Sequence, residues 1–147
     1  MPKDSTPLNI LCIEDTVDDF VLIERTLRLE GLLGYCQRVE DRDALTAALA
    51  QRQWDVVLSD YAVPGMYFTD TLRRFHRHHP NLPLILVSGT LGEVKASVMV
   101  EVGAWDFVPK NNLERLVPAV QRAIQRATLQ NLRQTTGSEV APGQPIS

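Results

Sequence analysis

Ile10-Leu11-Cys12-Ile13-Glu14-Asp15 is an apolar run of strand length that stops on two acids. Three later stretches repeat the form: Val56-Val57-Leu58-Ser59-Asp60, Leu84-Ile85-Leu86-Val87-Ser88 and Phe107-Val108-Pro109-Lys110. Each ends on an acid, a hydroxyl or an amine. Stretches of helical periodicity lie between them, and regular alternation of strand and helix implies a parallel sheet covered on both faces. In such a sheet all strands finish on one edge, so the terminal residues converge. Three carboxylates, one hydroxyl and one ammonium on one edge suit a divalent cation and a phosphoryl group.

Working outward, the first strand covers about 8–14. The first helix starts from Asp18 or Asp19, with Phe20, Ile23 and Leu27 facing inward and Val21 a further candidate for that face, and ends before Gly31. A second strand lies near Tyr35–Val39, and a second helix starts at a cap around Asp41. The third strand is Asp55–Asp60, and Pro64-Gly65 turns the chain into a third helix over about Thr69–His78. The fourth strand, Pro83–Ser88, precedes a helix from about Gly92 to Val102 that closes at Gly103. The fifth strand is Asp106–Pro109, and the fifth helix begins near Asn112, with Leu113, Leu116, Val117, Val120, Ile124 and Ala127 at helical spacing.

Strand composition indicates strand order. The first, third and fourth strands are continuous apolar runs, as expected at a sheet centre. The second is mixed, and the fifth contains Pro109, which cannot donate to a ladder and favours an edge. The order 2-1-3-4-5 follows: a doubly wound, five-stranded parallel α/β sheet in a flavodoxin-like three-layer sandwich. Ligands of such folds bind where the chain reverses direction, beyond the carboxyl ends, which is where Glu14, Asp15 and Asp60 fall.

Bulk properties agree with one ordinary domain. The chain has 147 residues, 44% hydrophobic and 22% charged, with a net charge of −3. Basic residues are scattered, which gives no support for nucleic-acid contact by this domain. No run approaches a membrane span and the start lacks a signal core, so a cytoplasmic protein without membrane contact is expected. Cys12 and Cys36 have no metal or redox spacing and read as free buried thiols. Residues 1–7 form an N-terminal extension, 8–126 the domain, 127–136 an extension of the fifth helix, and 137–147 a structureless tail rich in Pro, Gly and Ser.

Four motifs together carry a resemblance: the pair Glu14-Asp15; Ser59-Asp60-Tyr61-Ala62-Val63-Pro64-Gly65; Leu86-Val87-Ser88-Gly89-Thr90; and Gly103-Ala104-Trp105-Asp106-Phe107-Val108-Pro109-Lys110. Over about residues 8–126 the chain resembles a response-regulator receiver domain of bacterial two-component signalling. The resemblance implies a phosphorylation-dependent switch, not a turnover enzyme. In it Asp60 accepts a phosphoryl group from a histidine kinase or phosphotransfer protein. It further implies Mg2+ held by Asp15, Asp60 and the backbone carbonyl of Ala62, with Glu14 acting through water. Lys110 would pair with phosphoryl oxygens, Ser88 would hydrogen-bond to them, and Phe107 would stand as the aromatic switch. The face made by the fourth helix, fifth strand and fifth helix would then change, to control a partner or a fused output domain, and is a candidate homodimer contact. No output domain is visible in the sequence, so it implies either a stand-alone receiver or the front piece of a longer protein.

The chemistry is sound on its own terms. A carboxylate is a usable nucleophile for phosphoryl transfer, and catalysis of that step is mostly positioning and charge neutralisation. Two carboxylates 4 Å apart repel by about 4 kcal/mol at an effective dielectric of 20, which a divalent cation relieves. Alone, Asp60 reads equally as a cap; a capping Ser88, a loop Lys110 and a core Phe107 are the lesser readings of those residues. His76, His78 and His79 read as solvated or capping residues, suited to the negative end of a helix. Trp54 and Trp105 read as packing residues, and Arg115, Arg122, Arg126 and Arg133 as a solvated face.

Two departures from the family pattern stand out. Phe68 occupies a place where the family has Gly, so the loop before the third helix is expected to take another path with Tyr67 and Phe68 exposed. Asn111 follows Lys110 where many receivers have proline, so a trans bond is expected. Ala62 and Thr90 hold two variable positions. Rival readings are a phosphorylation-independent pseudo-receiver acting as an interaction module, and a phosphohydrolase. The latter lacks its second acid, because Ala62 stands where it would be. No phosphate-binding glycine loop follows the first strand, which opposes a nucleotide-binding protein.

Overall fold

The alternation of Ile10 and Cys12 with Leu11 and Ile13 sends side chains to opposite faces of the first strand, and all four are buried. That strand needs cover on both sides, and the fold supplies it. A computed structural model describes residues 7–140, with side chains as far as Arg133. Strand β1 (Leu8–Ile13) pairs in parallel with β2 (Leu33–Val39) and with β3 (Val56–Ser59). A short antiparallel hairpin, β4 (Ala62–Val63) and β5 (Met66–Tyr67), follows. Then β6 (Leu84–Ser88) pairs with β3 and β7 (Asp106–Pro109) with β6, both in parallel. The sheet order is β2-β1-β3-β6-β7; with β6 and β7 counted as fourth and fifth, this is the expected 2-1-3-4-5.

Helices α1 (Val17–Leu29) and α5 (Leu116–Val140) cover one face. Their Ile23, Leu27, Leu116 and Val120 pack with Ile10, Cys12, Val56, Leu58 and Ile85. Helices α2 (Arg42–Gln51), α3 (Phe68–His78) and α4 (Glu93–Glu101) lie on the other. There Leu45, Phe68, Leu72 and Phe75 pack with Leu11, Ile13, Val57, Leu84 and Leu86, and Met99 of α4 packs against the same cluster. Each fully buried Leu or Ile contributes about 1.5–3 kcal/mol. Asp41 caps α2 by accepting from Ala44 N at 2.7 Å. Among the described residues, no helix is long and apolar enough to cross a membrane.

The structure differs from the sequence expectation at four places. The hairpin was not foreseen; Pro64-Gly65 forms its tip, and Gly65 takes a φ of 79°, the left-handed conformation a glycine adopts without strain. Of the two aromatics expected to be exposed, Tyr67 is 73% exposed but Phe68 only 4%, because Phe68 is the first residue of α3 and turns into the core. A 3-10 turn over Lys110–Arg115, broken at Asn112, delays α5 to Leu116. Finally, α5 runs on to Val140, four residues into the segment expected to be structureless. Gly137, within this stretch, costs a helix only about 1 kcal/mol. The remainder of that expected tail, 141–147, and most of the expected N-terminal extension lie outside the described residues. The described peptide bonds include no cis bond, as expected at Asn111.

Candidate functional site

Backbone pairing carries past the strand ends and fixes the acids. Glu14 N donates to Val39 O at 2.9 Å, and Asp60 N donates to Ile13 O at 2.9 Å. Arg38, at the end of β2, donates to Glu14 O at 3.0 Å and to Glu40 Oε1 at 3.3 Å. Carboxylate oxygens of Glu14, Asp15 and Asp60 consequently all lie within 4.8 Å of one another. Asp60 Oδ1 accepts from Tyr61 N at 2.8 Å.

Lys110 follows β7, the outer strand farthest from β2, at the same carboxyl end of the sheet as the acids. Its ammonium Nζ lies 2.8 Å from Glu14 Oε1, 2.7 Å from Asp19 Oδ2 and 3.2 Å from Asp60 Oδ2. The contacts to Asp19 and Asp60 are hydrogen bonds. The Glu14 contact is close but outside hydrogen-bond geometry, so this buried oxygen has an ionic neighbour and no hydrogen bond. Burial opposes the Lys110 charge, but Asp19 and Glu14, joined by Asp60, outweigh it and push its pKa up.

Glu14 is 1% exposed. Burial pushes its pKa up, with the Lys110 ammonium and Thr16 N pulling the other way. In the metal-free protein its contribution to stability is therefore full below the ordinary carboxylate pKa. That contribution is lost as pH rises through the raised value. A set of hard anionic oxygens, one of them buried and lacking a hydrogen bond, fits a divalent cation such as Mg2+.

The remaining predicted residues stand around this cluster. Ser88 ends β6 and is 1% exposed; its Oγ accepts from Thr90 N and Leu91 N, both at 3.3 Å, so it is turned toward the loop that leads into α4. A Cβ at Gly89 would lie 3.5 Å from the Lys110 stem, ordinary van der Waals contact, so this loop residue borders the lysine directly. Phe107 pairs in register with Leu86 and packs half-buried against the α2–α3–α4 cluster. Ala62 lies two residues past Asp60, opposite Tyr67 in the hairpin. The structure thus brings Glu14, Asp15, Asp60 and Lys110 together directly, with Ser88 and Phe107 placed along the adjoining strands.

Sequence reasoning missed two members of this neighbourhood. Asp19 was read only as a helix start; it lies in the first turn of α1, which begins two residues after Asp15. Arg38 was read only as a polar residue of a mixed strand. Other side readings are refined. Arg122 pairs with Asp106 at 2.8 Å and Arg126 lies 4.1 Å over the Trp105 ring, so these two are not simply solvated. His79 caps the C-terminus of α3, its N donating to Phe75 O at 2.8 Å, as a capping reading expects; its ring lies tilted against Phe75, and burial, then Arg74 and His78, push its pKa down. Trp54 packs as expected and donates to Ala48 O at 2.9 Å. Cys12 and Cys36 are free thiols; burial pushes both pKa values up, that of Cys36 to about 12.

Comparison with known proteins was informative. A family model described as the response regulator receiver domain matches residues 10–121. The DNA-binding transcriptional regulator NtrC of Salmonella typhimurium is 35% identical over 104 residues, 70% of this chain and 22% of that protein. The nitrogen assimilation regulatory protein NtrX of Azorhizobium caulinodans is 29% identical over 135 residues, 87% of this chain and 29% of that protein. The chain therefore spans under a third of the length of these relatives. Among solved structures, NtrX from Brucella abortus aligns with a TM-score of 0.78 and 26% identity, over 89% of this chain and 30% of that one. A CheY-like receiver domain protein from Methanospirillum hungatei aligns with a TM-score of 0.72 at 18% identity, over 85% of this chain and 99% of that one, a likeness of fold.

Proposed function

The chain belongs to the response regulator receiver domain family, whose members are phosphorylation-based signalling modules of two-component systems, and on that premise we propose that Asp60 is its phosphoacceptor and Lys110 the cation that receives the phosphoryl charge. The observation that carries this reading is the approach of Lys110 Nζ to Asp60 Oδ2 at 3.2 Å, beside a carboxylate cluster.

A phosphohistidine of a histidine kinase or phosphotransfer protein is the donor. An Asp60 carboxylate oxygen attacks phosphorus, the N–P bond breaks, and its electron pair stays on the imidazole nitrogen, which takes up a proton. The product is an acyl phosphate on Asp60. The transition state is loose, so the chain contributes position and charge. Tyr61 N holds one oxygen of Asp60 in place, and Lys110 faces the other. Bound by Asp15, Asp60 and the Ala62 carbonyl, with Glu14 through water, Mg2+ would neutralise the crowded negative charge. Ser88 then exchanges its backbone partners for a phosphoryl oxygen, and Phe107 turns into the space released. The face formed by α4, β7 and α5 shifts population as a result and acts on a partner, on a fused output domain or on a second copy of the chain.

Acetyl phosphate with Mg2+ tests the reading. The expected result is a gain of one phosphoryl mass, absent in Asp60→Asn. No gain in the wild type leaves the phosphorylation-independent module as the better account, and steady turnover of a phosphate ester would establish a hydrolase. A phosphate mimic at Asp60 that leaves the NMR signals of α4, β7 and α5 unchanged would defeat the proposed output.

A further inference from the structure

Lys110 holds its ammonium between acids with different roles. Two belong to the acid cluster, Glu14 Oε1 and Asp60 Oδ2, at 2.8 and 3.2 Å. The third contact is Asp19 Oδ2, at 2.7 Å the shortest of the three and a hydrogen bond. Asp19 is not part of the three-acid cluster. It sits in the first turn of α1, where the helix dipole favours an acid and the helix backbone fixes its place.

The ammonium has three N–H donors. Without Asp19, all three would turn toward Glu14 and Asp60, whose oxygens a divalent cation also needs. An ammonium and a metal ion drawn to the same oxygens repel each other and compete for them. Building on the phosphoacceptor reading above, we propose that Asp19 is a positioning residue. It anchors Lys110 at the rim of the acid cluster, so that Asp60 stays open to a divalent cation and to the incoming phosphoryl group. When Asp60 becomes an acyl phosphate, the ammonium exchanges a carboxylate oxygen for a phosphoryl oxygen and keeps Asp19 as its fixed anchor.

The test uses the full chain, Mg2+ calorimetry and the rate of phosphorylation by acetyl phosphate. Asp19→Asn keeps size and helix start but removes the charge that holds the ammonium. Hydrogen bonds to charged groups are strong enough that a loss of about tenfold in both Mg2+ affinity and rate is expected. Asp19→Glu, which restores the charge, recovers most of the loss. In a Lys110→Met background, Asp19→Asn changes Mg2+ affinity no further, because the residue acts through the lysine. Unchanged Mg2+ affinity in Asp19→Asn overturns the proposal, and so does an equal loss in the Lys110→Met background, which would mean that the charge acts directly or through the fold. If the wild type takes up no phosphoryl group, the phosphoacceptor reading fails, while the Mg2+ arm still decides the Asp19–Lys110 pair.

Discussion

Helices α3 and α4 cover the same face of the sheet and are fastened to it very differently. Helix α3 buries Phe68, Thr71, Leu72 and Phe75. Helix α4 buries Ala96 alone and leaves Val94 82% exposed, with Val98 and Val100 also exposed. Few buried contacts mean low local stability. One helix is a wall of the domain; the other can shift at small cost. The loosely held one is led in by the Ser88 turn, beside the site where a phosphoryl group would arrive. That contrast is what a switch needs: a rigid frame for the chemistry and a movable element next to it.

The contrast can be broken by experiment. Phe75→Ala should destabilise the domain by about 3–5 kcal/mol in denaturant unfolding, the range for an aromatic removed from a packed core. A loss under about 1 kcal/mol would mean that α3 is no better anchored than α4. Amide hydrogen exchange should be at least about tenfold faster along α4 than along α3, equivalent to about 1.4 kcal/mol. Uniform protection across both helices would erase the difference. Ser88→Ala should cost about 1 kcal/mol, because the Thr90 and Leu91 amides lose their acceptor. Its exchange should quicken in α4 and not in α3, which sharpens the comparison to a single hydroxyl. Val94→Ser should leave stability within about 0.5 kcal/mol of the wild type. A larger loss, dependent on protein concentration, would mean that a second copy covers the α4 valines in solution.

Much of this was legible because the signals were local. Apolar runs such as Ile10–Ile13 and Leu84–Val87 name the central strands, and Pro109 marks an edge. Acids and an amine at strand ends converge once the sheet is parallel, and for this reason Glu14, Asp15, Asp60 and Lys110 could be grouped from sequence. The misses have physical causes. A two-residue strand such as Ala62–Val63 is too short to show a period. The steric argument at Phe68 correctly excluded a left-handed backbone, but it did not say where the ring would go, and burial decided that. The partnership of Asp19 with Lys110 spans 91 residues of sequence, and no local pattern encodes such a distance. The late start of α5 depends on the break at Asn112, which nothing nearby announces.

Helix α5 has one more consequence. It is rooted in the core through Leu116, Ala119, Val120 and Ala123 and continues to Val140, 25 residues in all. At 1.5 Å per residue it is a rod of roughly 37 Å. Tilting such a rod by about ten degrees at its root would swing the far end through roughly 6 Å. A repacking around β7 that tilted α5 by that much would reach the far end, by leverage alone, as a displacement the size of a side chain.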